Sequence, residues 1–191
     1  MTDAAPQAMS EAEYLRTERE SPYKREYVGG FVYPLHGQAG ASGEHGLIST
    51  RIVGHLFPDA DRQGCRLYQS DMKLYIPPAT SYFYPDVMLV CGHERPDRYY
   101  ETAPCLLVEV LSGSTAHNDR RHKYAAYTAI PTLQTYLIVS QSERYVVEYQ
   151  RTEGGGTESD WQMREHRGEG EVGVPCLGRS LTLEEMYRGV L

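Results

Sequence analysis

The segment Cys105-Leu106-Leu107-Val108-Glu109-Val110-Leu111 sets the strongest limit on how this chain can fold. A continuous apolar run marks a strand buried on both faces, and a carboxylate at its centre is costly unless something compensates the charge. Tyr84-Pro85-Asp86-Val87-Met88-Leu89-Val90 repeats the arrangement, with one acid set in a hydrophobic strand and preceded by proline. Side-by-side pairing of the two strands brings Asp86 and Glu109 together, where two carboxylates repel unless a proton or a cation lies between them. A hard divalent cation meets that need. The competing reading gives each acid a nearby arginine or a loop to cap.

The helix expected after the Glu109 strand carries Asp119 and Lys123 four residues apart with the acid first, the favourable order for a pair on one helix face. Taken alone, that is a solvated helical salt bridge.

Around this centre the pattern is mixed. Ser10 with Glu13 is a capping-box signal for a helix over 10–20, and Gly29-Gly30 between Glu26-Tyr27-Val28 and Phe31-Val32-Tyr33 signals a tight hairpin. Leu47, Ile48, Ile52, Val53, Leu56 and Phe57 recur at helical spacing, with Ser42 as cap and Pro58 as stop. Strands are expected over 66–76, 82–90 and 105–111, a helix over 115–129, then strands over 135–140 and 145–151. Thr152 to Asp160, with three consecutive glycines, reads as a mobile loop; a Trp161 strand and a helix capped by Thr182 and Glu185 close the chain. This order gives an α+β or mixed-sheet α/β class.

The 191 residues fit one domain over 1–191, with 1–9 flexible. Hydrophobic residues at 40% and charged residues at 24% exclude wholesale disorder. No apolar run approaches the roughly 18 residues of a membrane helix, and Met1 to Ser10 lacks the pattern of a secretory signal, so a cytoplasmic protein without a membrane partner is expected. The net charge of −7 weakens non-specific attraction to nucleic acid unless the bases cluster. Arg120-Arg121-His122-Lys123 is the dense basic run, either a phosphate contact or solvated helix surface. Sixteen tyrosines against three phenylalanines offer rings for base stacking, with Tyr82, Tyr84, Tyr99 and Tyr100 as candidates; half-buried packing on a sheet is the plainer reading. Cys65, Cys91, Cys105 and Cys176 show no C-x-x-C spacing and read as buried free thiols, with no zinc site expected.

Taken together, Pro85-Asp86, Val108-Glu109-Val110-Leu111-Ser112, Asp119, Lys123 and Tyr127 resemble the Uma family of restriction endonucleases within the PD-(D/E)XK nuclease superfamily. The resemblance extends to Tyr23-Lys24-Arg25-Glu26-Tyr27-Val28-Gly29-Gly30, His45, Ser70-Asp71-Met72-Lys73 and 130–136, and spans Tyr14 to Tyr187. It implies a restriction-endonuclease-like mixed sheet flanked by helices, with Asp86 and Glu109 as metal ligands. The chain departs from the superfamily at Leu111, where the parent motif has lysine; Lys123 on the next helix is the implied replacement.

The resulting expectation is a DNA endonuclease dependent on Mg2+ or Mn2+. Asp86, Glu109 and the Val110 carbonyl hold the metal, while Lys123 orients water or offsets phosphate charge. Glu26, Glu44 and His45 are auxiliary candidates for a second metal or substrate positioning, and Asp119 orients Lys123. The alternative is a nuclease-fold module without cleavage that binds nucleic acid or self-associates; a homodimer is left open.

Overall fold

The computed structural model describes residues 6–35, 42–92, 94–111, 116–152 and 160–191, excepting the side chains of 116–121. The chain opens with β1 (Gln7–Ala8), α1 (Glu11–Glu18), β2 (Arg25–Val28) and β3 (Phe31–Pro34). The Ser10 hydroxyl accepts the Glu13 amide and starts α1. Gly29 and Gly30 have φ of 54° and 96°, the left-handed pair that a two-residue hairpin turn requires. Residues 1–5 lie outside the described residues, whereas Gln7 and Ala8 already pair with β3.

Next, α2 (Gly43–Arg62) runs past Pro58, where the sequence placed its end. A proline inside a helix removes one hydrogen bond and crowds the preceding turn. Here the last turn is held from outside: Ala60 is buried, Arg62 pairs with Asp59, and Arg179 donates to the His55 carbonyl at 2.7 Å and to Asp59 at 3.0 Å. Tertiary contacts outweigh the local penalty.

There follow β4 (Arg66–Gln69), β5 (Lys73–Ile76), β6 (Ser81–Phe83), β7 (Val87–Val90), β8 (Tyr100–Glu101), β9 (Leu106–Leu111) and α3 (Ala116–Thr128). The chain ends with β10 (Thr135–Ser140), β11 (Tyr145–Arg151), β12 (Trp161–Arg167), β13 (Glu171–Val174), β14 (Arg179–Thr182) and α4 (Leu183–Tyr187). The strand expected over 66–76 is two strands, broken at Ser70 with φ 57°, and the one expected over 82–90 is broken at Tyr84-Pro85-Asp86. In both cases the chain changes sheet at the break. Asp86 therefore sits just before β7, not inside it. The glycine-rich 153–159 lies outside the described residues.

One sheet has the order β1-β3-β2-β6-β5-β8, another β12-β11-β10-β9-β7-β4, and β13-β14 form a hairpin. In the second sheet β9 and β10 are parallel and α3 connects them, as a parallel pair demands; its other neighbours are antiparallel. Alternation divides this sheet's side chains between two cores. Val87, Leu89, Leu106, Val108 and Val110 pack with Ile48, Ile52 and Leu56 of α2 and with Leu181, Leu183 and Met186. Met88, Val90, Leu107 and Ile138 pack on the other side with Tyr127 of α3 and with Leu74, Ile76 and Phe83 of the first sheet. Glu109, two residues from Leu107, falls on this second face, between α3 and the other sheet. A third cluster is aromatic, with Tyr14, Tyr27 and Tyr82 buried together.

The cysteines overturn the expectation of free thiols: Cys65 bonds Cys91, and Cys105 bonds Cys176. The partners lie 26 and 71 residues apart, so linear spacing could not reveal them.

Candidate active site

Strand register brings the two central acids together. Val87 opposes Val108 in the antiparallel β7/β9 pair, and one more step sets Asp86 against Glu109. The Asp86 carboxylate accepts the Val110 amide at 2.8 Å, which fixes it at the mouth of the pair.

Glu109 is 5% exposed and ringed by polar groups from other elements. Lys123 Nζ of α3 lies 3.3 Å from Glu109 Oε1 and 3.4 Å from Oε2. The Tyr127 hydroxyl, one helical turn on, donates to Oε1 at 2.8 Å. Lys123 also meets Glu26 of β2 at 3.1 Å, so its ammonium lies between carboxylates from the two sheets. Burial pushes the Glu109 pKa up to about 8; Lys123 and the Tyr127 hydrogen bond lower it, while the charges of Asp86 and Glu26 raise it.

His45 approaches from the first turn of α2, where the Ser42 hydroxyl accepts its amide at 3.2 Å. Its Nε2 lies 3.2 Å from Asp86 Oδ2. The hydrogen bond to Asp86 raises its pKa against the opposing effect of burial, and the charges of Asp86 and Glu109 and a hydrogen bond to the Val110 backbone add to the rise. Asp86 and His45 side chains are each 17% exposed, so solvent reaches the centre on their side.

Four positions named from the sequence, Asp86, Glu109, Lys123 and His45, are thus brought together, with Glu26 joined through Lys123. Glu44 is exposed at the start of α2, where its own backbone and Ser42 hold its pKa below the usual carboxylate range. The side chains of Asp119, Arg120 and Arg121 lie outside the described residues; His122 is exposed, whereas Lys123 is buried. Leu111, at the superfamily's lysine position, packs at the edge of the second core. Tyr127 was not assigned a role from sequence. Its place one turn beyond Lys123 is the signal that could have marked it.

Among the stacking candidates, Tyr82 is buried with Tyr75 stacked on it at 4.4 Å, and Tyr100 packs against it edge-on at 5.7 Å. Tyr84 donates to Glu18 at 2.9 Å. Tyr99 is 41% exposed and lies under the Arg19 guanidinium at 4.5 Å. No described helix is long and apolar enough to cross a membrane.

Comparison with known proteins agrees with this architecture. Over 95% of its length the chain is 32% identical to the uncharacterized protein slr1290 of Synechocystis, covering 93% of it. Over 88% of its length it is 35% identical to sll1609 of the same organism, again covering 93%. A crystal structure of a putative nuclease belonging to DUF820 from Anabaena variabilis superposes with a TM-score of 0.73. The match covers 96% of this chain and 99% of that one at 14% identity, which shows the shared fold. Residues 11–184 match the model of the family Uma2, described as "Putative restriction endonuclease". With a mixed α+β architecture like that of the nuclease neighbour and a family match over almost its whole length, the chain belongs to the Uma2 family.

Proposed function

We propose that this chain is a divalent-metal-dependent endonuclease that hydrolyses phosphodiester bonds of DNA in the cytoplasm. The observation that carries the reading is the convergence of Asp86, Glu109, Glu26, His45 and Lys123 from five separate segments on one position of a strand whose neighbours are otherwise apolar.

The residues fit Mg2+ or Mn2+. Their donors are hard oxygens, and three carboxylates converge there against one lysine, a set that a divalent cation would balance. Asp86 and Glu109 would hold the ion with the Val110 carbonyl. When bound, it polarises a phosphate and lowers the pKa of an attacking water. Tyr127 fixes the rotamer of Glu109 through its hydroxyl. Lys123 supplies the fixed positive charge inside the centre, placed to offset negative charge on a scissile phosphate. His45, at the open side, is placed to meet a phosphate oxygen or to yield its position on Asp86.

Cleavage of plasmid and oligonucleotide DNA, with and without chelator, tests the proposal. Asp86→Asn and Glu109→Gln should abolish cleavage while leaving the protein folded, and Lys123→Ala should slow it with metal binding largely kept. Activity that survives chelation, or persists in Asp86→Asn, overturns the assignment. A wild type that binds metal without cutting puts the binding-module reading ahead.

A further inference from the structure

All four cysteines of the chain meet at one place. Cys65 precedes β4, Cys91 follows β7, Cys105 precedes β9, and Cys176 lies in the short helical turn between β13 and β14. Two disulfides need only two pairwise meetings, which could lie anywhere in the fold. Here the pairs touch each other: Cys91 Sγ is 3.7 Å from Cys105 Sγ, and the sulfurs of Cys91, Cys105 and Cys176 all lie within 4.8 Å of one another. Cys65 joins them through its bond to Cys91.

We propose that the four cysteines form a thiolate site for a soft divalent metal of the zinc class, open in the reduced chain and closed in the oxidised one. A tetrahedral ion with metal–sulfur distances of about 2.3 Å separates its sulfurs by about 3.8 Å. The Cys91–Cys105 spacing matches that edge, the Cys176 sulfur lies within 4.8 Å of both, and Cys65 is held beside Cys91 by their bond. Thiolates select zinc-class ions over the hard cations suited to carboxylates, so the site is chemically distinct from the acidic centre. Cys105 is buried and the other three are half-buried in the core beneath α2, which shields bound metal yet leaves a path for exchange.

A dithiol reductant delivers two electrons to each disulfide and leaves as a disulfide itself; each pair of cysteine sulfurs takes up two protons. The four thiols release protons as the metal binds. Metal occupancy and disulfide bonding exclude each other because they use the same sulfurs.

The test uses the full chain carrying Asp86→Asn, which weakens the acidic centre as a competing site. Reduced protein, freed of reductant under inert gas, is titrated with Co2+ and then Zn2+. The expected result is one Co2+ per chain with intense thiolate-to-metal charge-transfer bands and a tetrahedral visible spectrum, displaced by one Zn2+. Oxidised protein should show neither band. Cys105→Ser and Cys176→Ser should each weaken Co2+ binding by about tenfold or more, in the range for disturbing a metal's ligand environment. Reduced protein that keeps its far-ultraviolet circular dichroism, shows four reactive thiols and gives no thiolate bands with Co2+ overturns the proposal. Equal Co2+ binding by the serine variants does so too.

Discussion

Lys123 Nζ stands 3.3 Å from Glu109 Oε1, a contact made between a helix and the strand that precedes it and buried from solvent on both sides. Leu111 of β9 stands where the resembled motif has lysine, and the ammonium beside Glu109 comes instead from α3, from where it also meets Glu26 across the gap between sheets. A lysine at position 111 would leave from the strand itself and could not be placed by α3 in this way.

Glu109 should make stability fall as pH rises. Its folded pKa of about 8 lies above the ordinary value of 4.5. Below that ordinary value both states hold the proton; between 4.5 and 8 the unfolded chain ionises while the folded chain retains it, so the contribution moves steadily against folding, and above 8 it is constant. Glu109→Gln lacks this titration, so its stability should gain on wild type as pH rises from 4.5 to 8, by up to about 4 kcal/mol without metal. Thermal melts across that window decide it, and parallel curves for the two proteins would refute it.

Lys123→Met should be destabilising by about 3–5 kcal/mol at alkaline pH, where Glu109 is ionised, because it leaves Glu26 and Glu109 buried without their shared cation. Lowering the pH should shrink the loss as Glu109 takes up its proton. Added Mn2+ should recover part of it. Denaturant titrations with and without Mn2+ measure both effects.

Tyr127→Phe removes a 2.8 Å hydrogen bond to a carboxylate and should cost about 1.5–3 kcal/mol when Glu109 is ionised. Because the hydroxyl favours the charged carboxylate, its loss should also push the Glu109 pKa higher. Carbon-detected NMR titration of the glutamate side chains reads that displacement.

His45 and a divalent cation should compete for Asp86. The imidazolium is favoured by the Asp86 contact and by the charge of Glu109, and its pKa is raised above 6.5. A bound cation opposes both effects, so saturating Mg2+ should move the His45 titration down. Proton NMR of the imidazole ring, with and without Mg2+, is the measurement; an unchanged midpoint would place the ion elsewhere.

Pro58→Ala should restore a helical hydrogen bond in α2 and stabilise the chain by up to about 3 kcal/mol, since tertiary contacts already hold the turn beyond it. Thermal unfolding tests the sign.

Local signals were legible where one residue type does one physical task. The Ser10 and Thr182 caps and the Gly29-Gly30 turn lie where the sequence places them, and Thr182 with Glu185 forms a complete capping box. The acid in the buried strand was legible because burial makes an isolated charge costly. What local pattern could not show was a change of sheet. Alternation continues across Ser70 and hydrophobicity continues across Pro85, so each split strand read as one. Pro58 misled because its local penalty is met by Arg179, more than a hundred residues away. The cysteine pairs depend on three-dimensional neighbours that spacing along the chain does not encode.

The division of the second sheet between two cores means that motif content and foldability part company along the gene. Every group proposed for the acidic centre precedes Thr128, yet the side of β9 facing away from Glu109 rests on Val172, Leu181, Leu183 and Met186. An open reading frame stopping after residue 152 would encode each of these groups and lack the floor on which β9 lies. By inspection of motifs such a truncated gene passes as intact; by packing it is a pseudogene.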